Sequence, residues 1–332
     1  MSKTATFKLA AIQAAPILFD KTASVAKACS LIAEAGSKGA NIAAFGECWL
    51  PGYPFWVEGP VVDLTWEASA VFLENSIEIP GPETELLAQA AKKAAIDVTI
   101  GVAERDPHSN GTSYCTAITI SKKGEILNRH RKLKPTHAER IIWGDGDGYG
   151  LRVVERPYGR ISALNCWEHQ MMLPGYSLAA QGTQIHAALW PGWEKKPRLD
   201  EYCWARQHLL SRAFASQACA YVICAAGVRL EKDIPARWRP LGIWEHPGRS
   251  AIIDPRGEII AEADIGETIL YAEGSLDKVR AAKAACDIAG HYSRPDVFEL
   301  RVDRRPNESR VQFSDAEERG GDAKSSDSFA DE

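Results

Sequence analysis

Short apolar runs separated by stretches of helical period recur along the whole 332-residue chain, and this alternation restricts it to a layered α/β architecture. FKLAAIQ (7–13) reads as a strand. DKTASVAKACSLIAEAGSKG (20–39) reads as a helix with Asp20 near its start and Gly36 or Gly39 near its end. NIAAFGE follows as a second strand, Pro82 opens a helix through ETELLAQAAKKAAI, and VTIGVAER, SYCTAITIS and EILNRHRK are strands divided by turn residues. In the second half GRISALNC, TQIHAALW and YVICAAGV are strands, and the stretch after Cys166 turns helical. DEYCWARQHLLSRAFASQACA is a long amphipathic helix, and SAIIDPRGEIIAE is a hairpin on its Pro-Arg-Gly turn.

No linker rich in Pro, Gly and Ser separates the halves, so the expectation is one domain over 1–305 followed by a tail over 306–332. From Ser314 to Glu332 that tail carries seven acids and two bases, which accounts for the whole net charge of -5 and leaves the preceding body neutral. Such a tail is expected to be disordered or to order only against another subunit. A neutral body has little electrostatic reason to avoid copies of itself and offers no basic field for nucleic acid. Apolar residues at 45% and charged residues at 25% suit a soluble globular protein. No apolar run reaches the roughly 18 to 20 residues that span a bilayer, and MSKTATFKLAAIQ lacks the parts of a signal peptide, so a cytoplasmic protein without membrane contact is expected. The eight cysteines are scattered without a zinc-site spacing, which leaves them as buried thiols, one of which is free to be a nucleophile.

Three strand ends carry chemistry. Cys166 follows the apolar strand RISALN, where an opening helix places backbone amides close enough to stabilise a thiolate, although position alone more often marks a buried structural thiol. Glu47 ends the apolar run IAAFGE; a carboxylate there is costly to desolvate unless paired, and its raised pKa is what a general base near neutrality requires, although a surface glutamate also fits. In NRHRKLKPTHAER, Lys132 and Lys134 alternate before Pro135, and one of them can point inward while the rest form a solvated face.

Taken together, FGE at 45–47, HRKLKPTHAER at 130–140 and CWEH at 166–169 resemble, in order and spacing, the three motif blocks of the nitrilase superfamily. The resemblance runs from about residue 7 to about residue 300, and cysteine followed by Trp-Glu is similar to the nitrilase branch rather than the amidase or carbamoylase branches. It implies a four-layer α-β-β-α sandwich, with no metal and no organic cofactor. It implies Cys166 as nucleophile, Glu47 as general base, Lys132 rather than Lys134 as the fixed positive charge, and Glu139 as a second glutamate positioning substrate and lysine. The substrate class it implies is a small-molecule nitrile attacked by a thiol and then by water, yielding acid and ammonia through a thioimidate and a thioester. It also implies a homodimer extending to a larger homo-oligomer or spiral filament. An amidase, a nitrile or cyanide hydratase, and an inactive scaffold keeping the fold are the alternatives.

Two positions depart from the pattern. Gly46 replaces a proline that commonly precedes the glutamate, so a looser backbone is expected there, and IWEHPGRSAII replaces a glycine-rich approach, which leaves the pocket rim open to question. Ten tryptophans suggest an aromatic-lined pocket, with Tyr53, Trp167 and Trp190 as lining residues and core packing as the competing role. His169 lies three residues after Cys166; with no protease signature around it, it reads as an orienting or structural group. GDGDGYG (144–150) lacks the later ligands of a calcium loop and reads as a glycine-rich turn.

Overall fold

The computed structural model describes residues 6–59, 62–193, 200–242 and 245–306, so the acidic tail and the Ile-Trp start of IWEHPGRS lie outside the described residues. The first half contains β1 (Thr6–Gln13), α1 (Lys21–Ser37), β2 (Ile42–Ala44), α2 (Asp63–Asn75), α3 (Pro82–Ala94), β3 (Asp97–Arg105), β4 (Ser113–Ile120) and β5 (Ile126–Arg131). The second contains β6 (Val154–Arg156), β7 (Gly159–Asn165), α4 (Met172–Ala180), β8 (Ile185–Trp190), α5 (Asp200–Ala218), β9 (Tyr221–Ala226), β10 (Ala251–Ile253) and β11 (Ile259–Glu262). β12 (Thr268–Ser275) and α6 (Leu276–Ala285) follow.

Local chemistry sets the element ends. The Asp20 carboxylate accepts the Ala23 amide at 2.8 Å and caps α1, and Pro82 occupies the first turn of α3, where its missing N–H costs nothing. The hairpin of β10 and β11 closes through the Gly257 amide donating to the Asp254 carbonyl. Pairing then produces two six-stranded sheets, ordered β12-β1-β2-β3-β4-β5 and β11-β10-β9-β8-β7-β6. β1, β2 and β3 run parallel, as do β7, β8 and β9, while the flanking strands are antiparallel.

The strands show why their sequences are apolar almost throughout. Successive side chains point to opposite faces, and both faces are covered. Leu9 and Ala11 of β1 pack with Ile185, Ala187 and Leu189 of β8 between the sheets, whereas Ala10 and Ile12 turn outward to Val25 and Ile32 of α1. On the other sheet Ala188 and Val222 face Phe214 and Ala218 of α5. The layers are therefore α1 with α3, one sheet, the second sheet, and α4 with α5, which is the α-β-β-α sandwich expected from the sequence.

Four elements were not among the expected ones, the first being β6, a three-residue strand at the edge of its sheet. β12 is an edge strand of mostly half-buried residues whose partner, β1, lies at the other end of the chain, so its sequence has no clean alternation to read. α2 buries only Ala68 and Phe72, and α6 only Val279, which leaves each with a thin apolar stripe. Among the described residues no helix is long and apolar enough to cross a membrane.

Candidate active site

β2, β5 and β7 point the same way and end at one edge of the sandwich, each delivering a functional side chain just past its last residue. After β2, Phe45 still donates to Thr99 of β3, but the Glu47 amide crosses to the other sheet and donates to the Trp190 carbonyl at 3.0 Å. That crossing is tight. A Cβ on Gly46 would lie 2.5 Å from the Gly227 amide nitrogen and 2.7 Å from the Trp190 oxygen. The expectation of a looser backbone at Gly46 is thus corrected: only a residue without a side chain lets the two sheets approach closely enough to seat Glu47.

After β5, the Lys132 amide donates to the Cys115 carbonyl at 2.7 Å, and the 144–150 loop folds over its back, with the Gly146 amide donating to the Lys132 oxygen. Cβ atoms at Gly146 and Gly150 would lie 2.3 Å from the Arg131 oxygen and from His130 Cα, so the glycines of GDGDGYG serve close backbone packing. After β7, Cys166 begins a short 3-10 turn over Cys166–Gln170 with its φ at 48°, in the left-handed region that non-glycine residues seldom occupy. The α-helix itself starts only at Met172, so the turn, not an α-helix N-terminus, surrounds the thiol.

These three segments converge. Lys132 Nζ donates to Glu47 Oε1 at 2.7 Å and to Glu139 Oε2 at 2.6 Å, and all three groups are buried. The carboxylate oxygens of Glu47 and Glu139 and the Cys166 sulfur lie within 4.8 Å of one another, with the Lys132 ammonium as the cation among them. Glu139 also accepts from the Thr136 amide at 2.7 Å and from the Tyr53 hydroxyl at 2.8 Å. Lys134 lies outside the cluster, half-exposed and paired with Asp145.

Burial and charge set the protonation states. Burial raises the Glu47 pKa, Lys132 offsets part of that and Glu139 adds to it, leaving it at about 7. For Lys132 burial acts to remove the proton, but the two carboxylates outweigh it and hold the ammonium well above its ordinary range. The Cys166 thiol is pushed well up, first by burial and then by Glu47, with Lys132 and the Trp167 backbone N–H acting in the opposite direction. The balance favours the thiol form of Cys166, with the Glu47 carboxyl beside it, where helix amides stabilising a thiolate were expected. Glu47 Oε2 is buried without a hydrogen-bond partner, and Glu47 lines a cavity of about 10 Å³ with Tyr53, Gly227, Arg229 and His246, room for about one water.

The aromatic residues divide. Tyr53 touches Glu139 and packs edge-on to Trp143 at 5.9 Å, and Trp143 also lies under the Lys132 ammonium. Trp167 is half-buried between the Arg206 guanidinium, 4.3 Å above its ring, and His137. The Trp190 side chain turns into the layer between β8 and α5, donating to Ser211 at 3.1 Å, so what it brings to the cluster is its carbonyl under Glu47.

Sequence reasoning missed Glu168. Its Oε1 accepts the Leu133 amide and its Oε2 the Asn165 amide, each at 2.8 Å, and both oxygens reach His130 Nε2. One buried carboxylate thus ties the residue after Lys132 to the residue before Cys166. Cys115, whose thiol donates to Glu47 Oε1 at 3.5 Å, and Trp143 were also missed. For Cys115 the only signal available was its place beside β5.

The carbon-nitrogen hydrolase family model matches residues 8–284. Nitrilase 2 from an unknown prokaryotic organism is 49% identical over 313 residues, covering 93% of this chain and 96% of that protein. An aliphatic nitrilase from Rhodococcus rhodochrous is 36% identical, covering 91% of this chain and 84% of its own length. Among solved structures, Saccharomyces cerevisiae Nit3, of the nitrilase superfamily, superposes with a TM-score of 0.68 at 21% identity, over 86% of this chain and 96% of that one. A carbon-nitrogen hydrolase from Helicobacter pylori gives 0.70 at 19% identity, over 88% and 97%. At such identities these two speak to the fold alone.

Proposed function

The chain belongs to the carbon-nitrogen hydrolase family, among its nitrilases, and from that premise we propose that it adds two waters to an organic nitrile, releasing the carboxylic acid and ammonia. The observation that carries the proposal is the Cys166 sulfur within 4.8 Å of the buried Glu47 carboxyl, whose pKa burial raises to about 7, with the Lys132 ammonium hydrogen-bonded to that carboxyl and to Glu139.

Glu47 takes the Cys166 proton as the sulfur attacks the nitrile carbon and passes it to the nitrogen, giving a thioimidate and leaving Glu47 a carboxylate again. Glu47 then deprotonates a water that adds to the same carbon and hands that water's two protons in turn to the nitrogen. The tetrahedral species thereby expels ammonia and leaves a thioester, and a second water, deprotonated by Glu47, displaces the sulfur to release the acid, Glu47 returning that proton to the sulfur. Lys132 supplies fixed positive charge to the tetrahedral species in a site closed to solvent, and Glu139, braced by Tyr53, keeps that ammonium in place. Tyr53, bonded to Glu139, and Trp167, the residue after Cys166, are assigned to the substrate's organic group, and the Trp190 carbonyl supports Glu47 from below.

Assembly and location complete the reading. The α4 and α5 face exposes Met171, Met172 and Leu173 around a cavity of about 550 Å³ that Tyr176, Phe214 and Tyr292 also line, and it is assigned to a second copy, as a step toward larger homo-oligomers or filaments. A cytoplasmic location suits a nucleophilic cysteine accompanied by other free thiols.

The test is turnover of a graded panel of aliphatic, aromatic and arylacetic nitriles and the matching amides, with ammonia, acid and amide quantified. Acid from nitrile supports the proposal. Amide as the main product, turnover of amides only, or none would replace it with the hydratase, amidase or scaffold reading respectively. Light scattering that gives a stable monomer would remove the assembly.

A further inference from the structure

Behind the nucleophile lies a second polar chain that the chemistry above does not use. His169 Nδ1 is 2.7 Å from the Cys166 carbonyl oxygen, His169 Nε2 is 2.9 Å from His186 Nε2, and His186 Nδ1 is 2.7 Å from Ser162 Oγ. Ser162 and His186 are fully buried on β7 and β8, and the rings are clamped: His169 stacks on Trp190 at 5.3 Å and His186 on Phe214 at 3.9 Å. All four ring nitrogens have partners, so the arrangement is complete within the protein.

The proton positions follow from the end that cannot vary. A carbonyl oxygen only accepts, so His169 Nδ1 carries the hydrogen. In a neutral ring Nε2 must then accept, which requires the hydrogen on His186 Nε2, and His186 Nδ1 in turn accepts from the Ser162 hydroxyl. Burial holds both imidazoles neutral: it is the main cause that brings His169 down to about 4 and His186 well below its ordinary value. The charged or titratable groups acting on the pair are Glu168, Lys132 and His130, none of which turns that balance.

A peptide group is planar, so fixing its carbonyl fixes its N–H on the opposite side. The carbonyl held here belongs to Cys166, and the N–H across that plane is that of Trp167, which acts on the Cys166 thiol in favour of its ionised form. We propose that Ser162, His186 and His169 are positioning residues: a one-way hydrogen-bond chain that holds Cys166 in its left-handed conformation and aims the 166–167 peptide N–H at the nucleophile. The inference rests on the assignment of Cys166 as the nucleophile. It explains why a strained φ of 48° is tolerated there: the chain supplies the compensating contact.

Two variants separate positioning from bulk packing. His169→Asn keeps an N–H near the Nδ1 position, whereas His169→Phe keeps the stacked ring and removes the donor. The readouts are kcat and KM with an accepted nitrile, and the pH dependence of iodoacetamide labelling at Cys166, followed by peptide mapping. His169→Phe is expected to lower kcat on the order of 100-fold with KM little changed, and to move the labelling midpoint to higher pH, because the thiolate loses an N–H donor while Glu47, Lys132 and Glu139 around it stay in place. His169→Asn should recover most of both effects. Unchanged labelling and kcat in His169→Phe, or equal impairment in the two variants, overturns the inference. Should His169→Phe not fold, Ser162→Ala removes the first donor and is expected to shift the midpoint the same way by a smaller amount, with no shift overturning the chain. Labelling needs no turnover, so it tests the chain even if nitrile hydrolysis fails.

Discussion

Lys132 and Glu47 are joined by a 2.7 Å hydrogen bond between two side chains that solvent does not reach. A buried pair of this kind does not owe its place to stability, since desolvating both charges cancels most of their attraction. The second carboxylate, Glu139, is what makes the arrangement electrostatically possible: a single ammonium balances two carboxyl groups, one of which, Glu47, holds a proton near neutrality.

Replacing Lys132 by Met leaves both carboxyl groups buried without their cation. Turnover is expected to fall by at least about 100-fold, the scale for removing one charge-stabilising donor. In the same variant Glu47 loses the group that lowers its pKa, so the carboxyl becomes more firmly protonated. Steady-state kinetics checks the loss, and a variant with more than half of the wild-type kcat would remove Lys132 from the mechanism.

The pH profile follows from Glu47. Only its carboxylate accepts the thiol proton, and its folded-state pKa is about 7, raised mainly by burial. The kcat/KM profile should therefore fall on the acid side with a midpoint near 7. The sign for stability is the reverse. A carboxyl whose folded pKa is raised keeps its proton in the folded chain and loses it in the unfolded one, so its contribution to stability declines as pH rises from its ordinary range to about 7. Activity that stays flat from pH 8 to pH 5 would contradict the assignment.

Gly46→Ala places a methyl against the Gly227 and Trp190 backbones, neither of which is a flexible side-chain end. A cost of about 1–3 kcal/mol is expected from the overpacking, with a further loss of activity because Glu47 is the next residue. Urea denaturation measures the first, and unchanged stability would mean that the crossing is less tight than described.

Glu168→Gln keeps the shape but turns one oxygen into an NH2 that faces the Leu133 or the Asn165 amide. Breaking this buried, multiply bonded carboxylate is expected to cost about 3–5 kcal/mol, and kcat should fall because the strand ends bearing Lys132 and Cys166 are no longer tied. The Glu168 pKa is lowered, with His130 and the two amides outweighing burial. Its stabilisation is thus present above the ordinary carboxyl range and lost as pH falls through the folded value. Equal urea midpoints for wild type and variant would refute this tie.

How much of this the sequence carried depends on what each feature requires. The core strands were legible because both faces are buried, so FKLAAIQ and TQIHAALW stay apolar whichever neighbour they meet. Cys166, Glu47 and Lys132 were legible as short blocks at strand ends. β12 was not, because its register is set by β1, far away in the chain, and half-exposed edge residues carry little pattern. Glu168 was passed over for the same kind of reason: inside CWEH it sits between showier neighbours, and its role lies in amides 35 and 3 residues away. The upward shift of the Cys166 thiol was also hidden, since its first cause is burial rather than residue type.

The most direct measurement is the mass of the enzyme quenched during turnover of a nitrile, followed by peptide mapping. An acyl or imidoyl adduct on the peptide holding Cys166, absent from Cys166→Ala together with all ammonia release, is the result this account predicts. An adduct on another cysteine, or turnover that persists in Cys166→Ala, would contradict it.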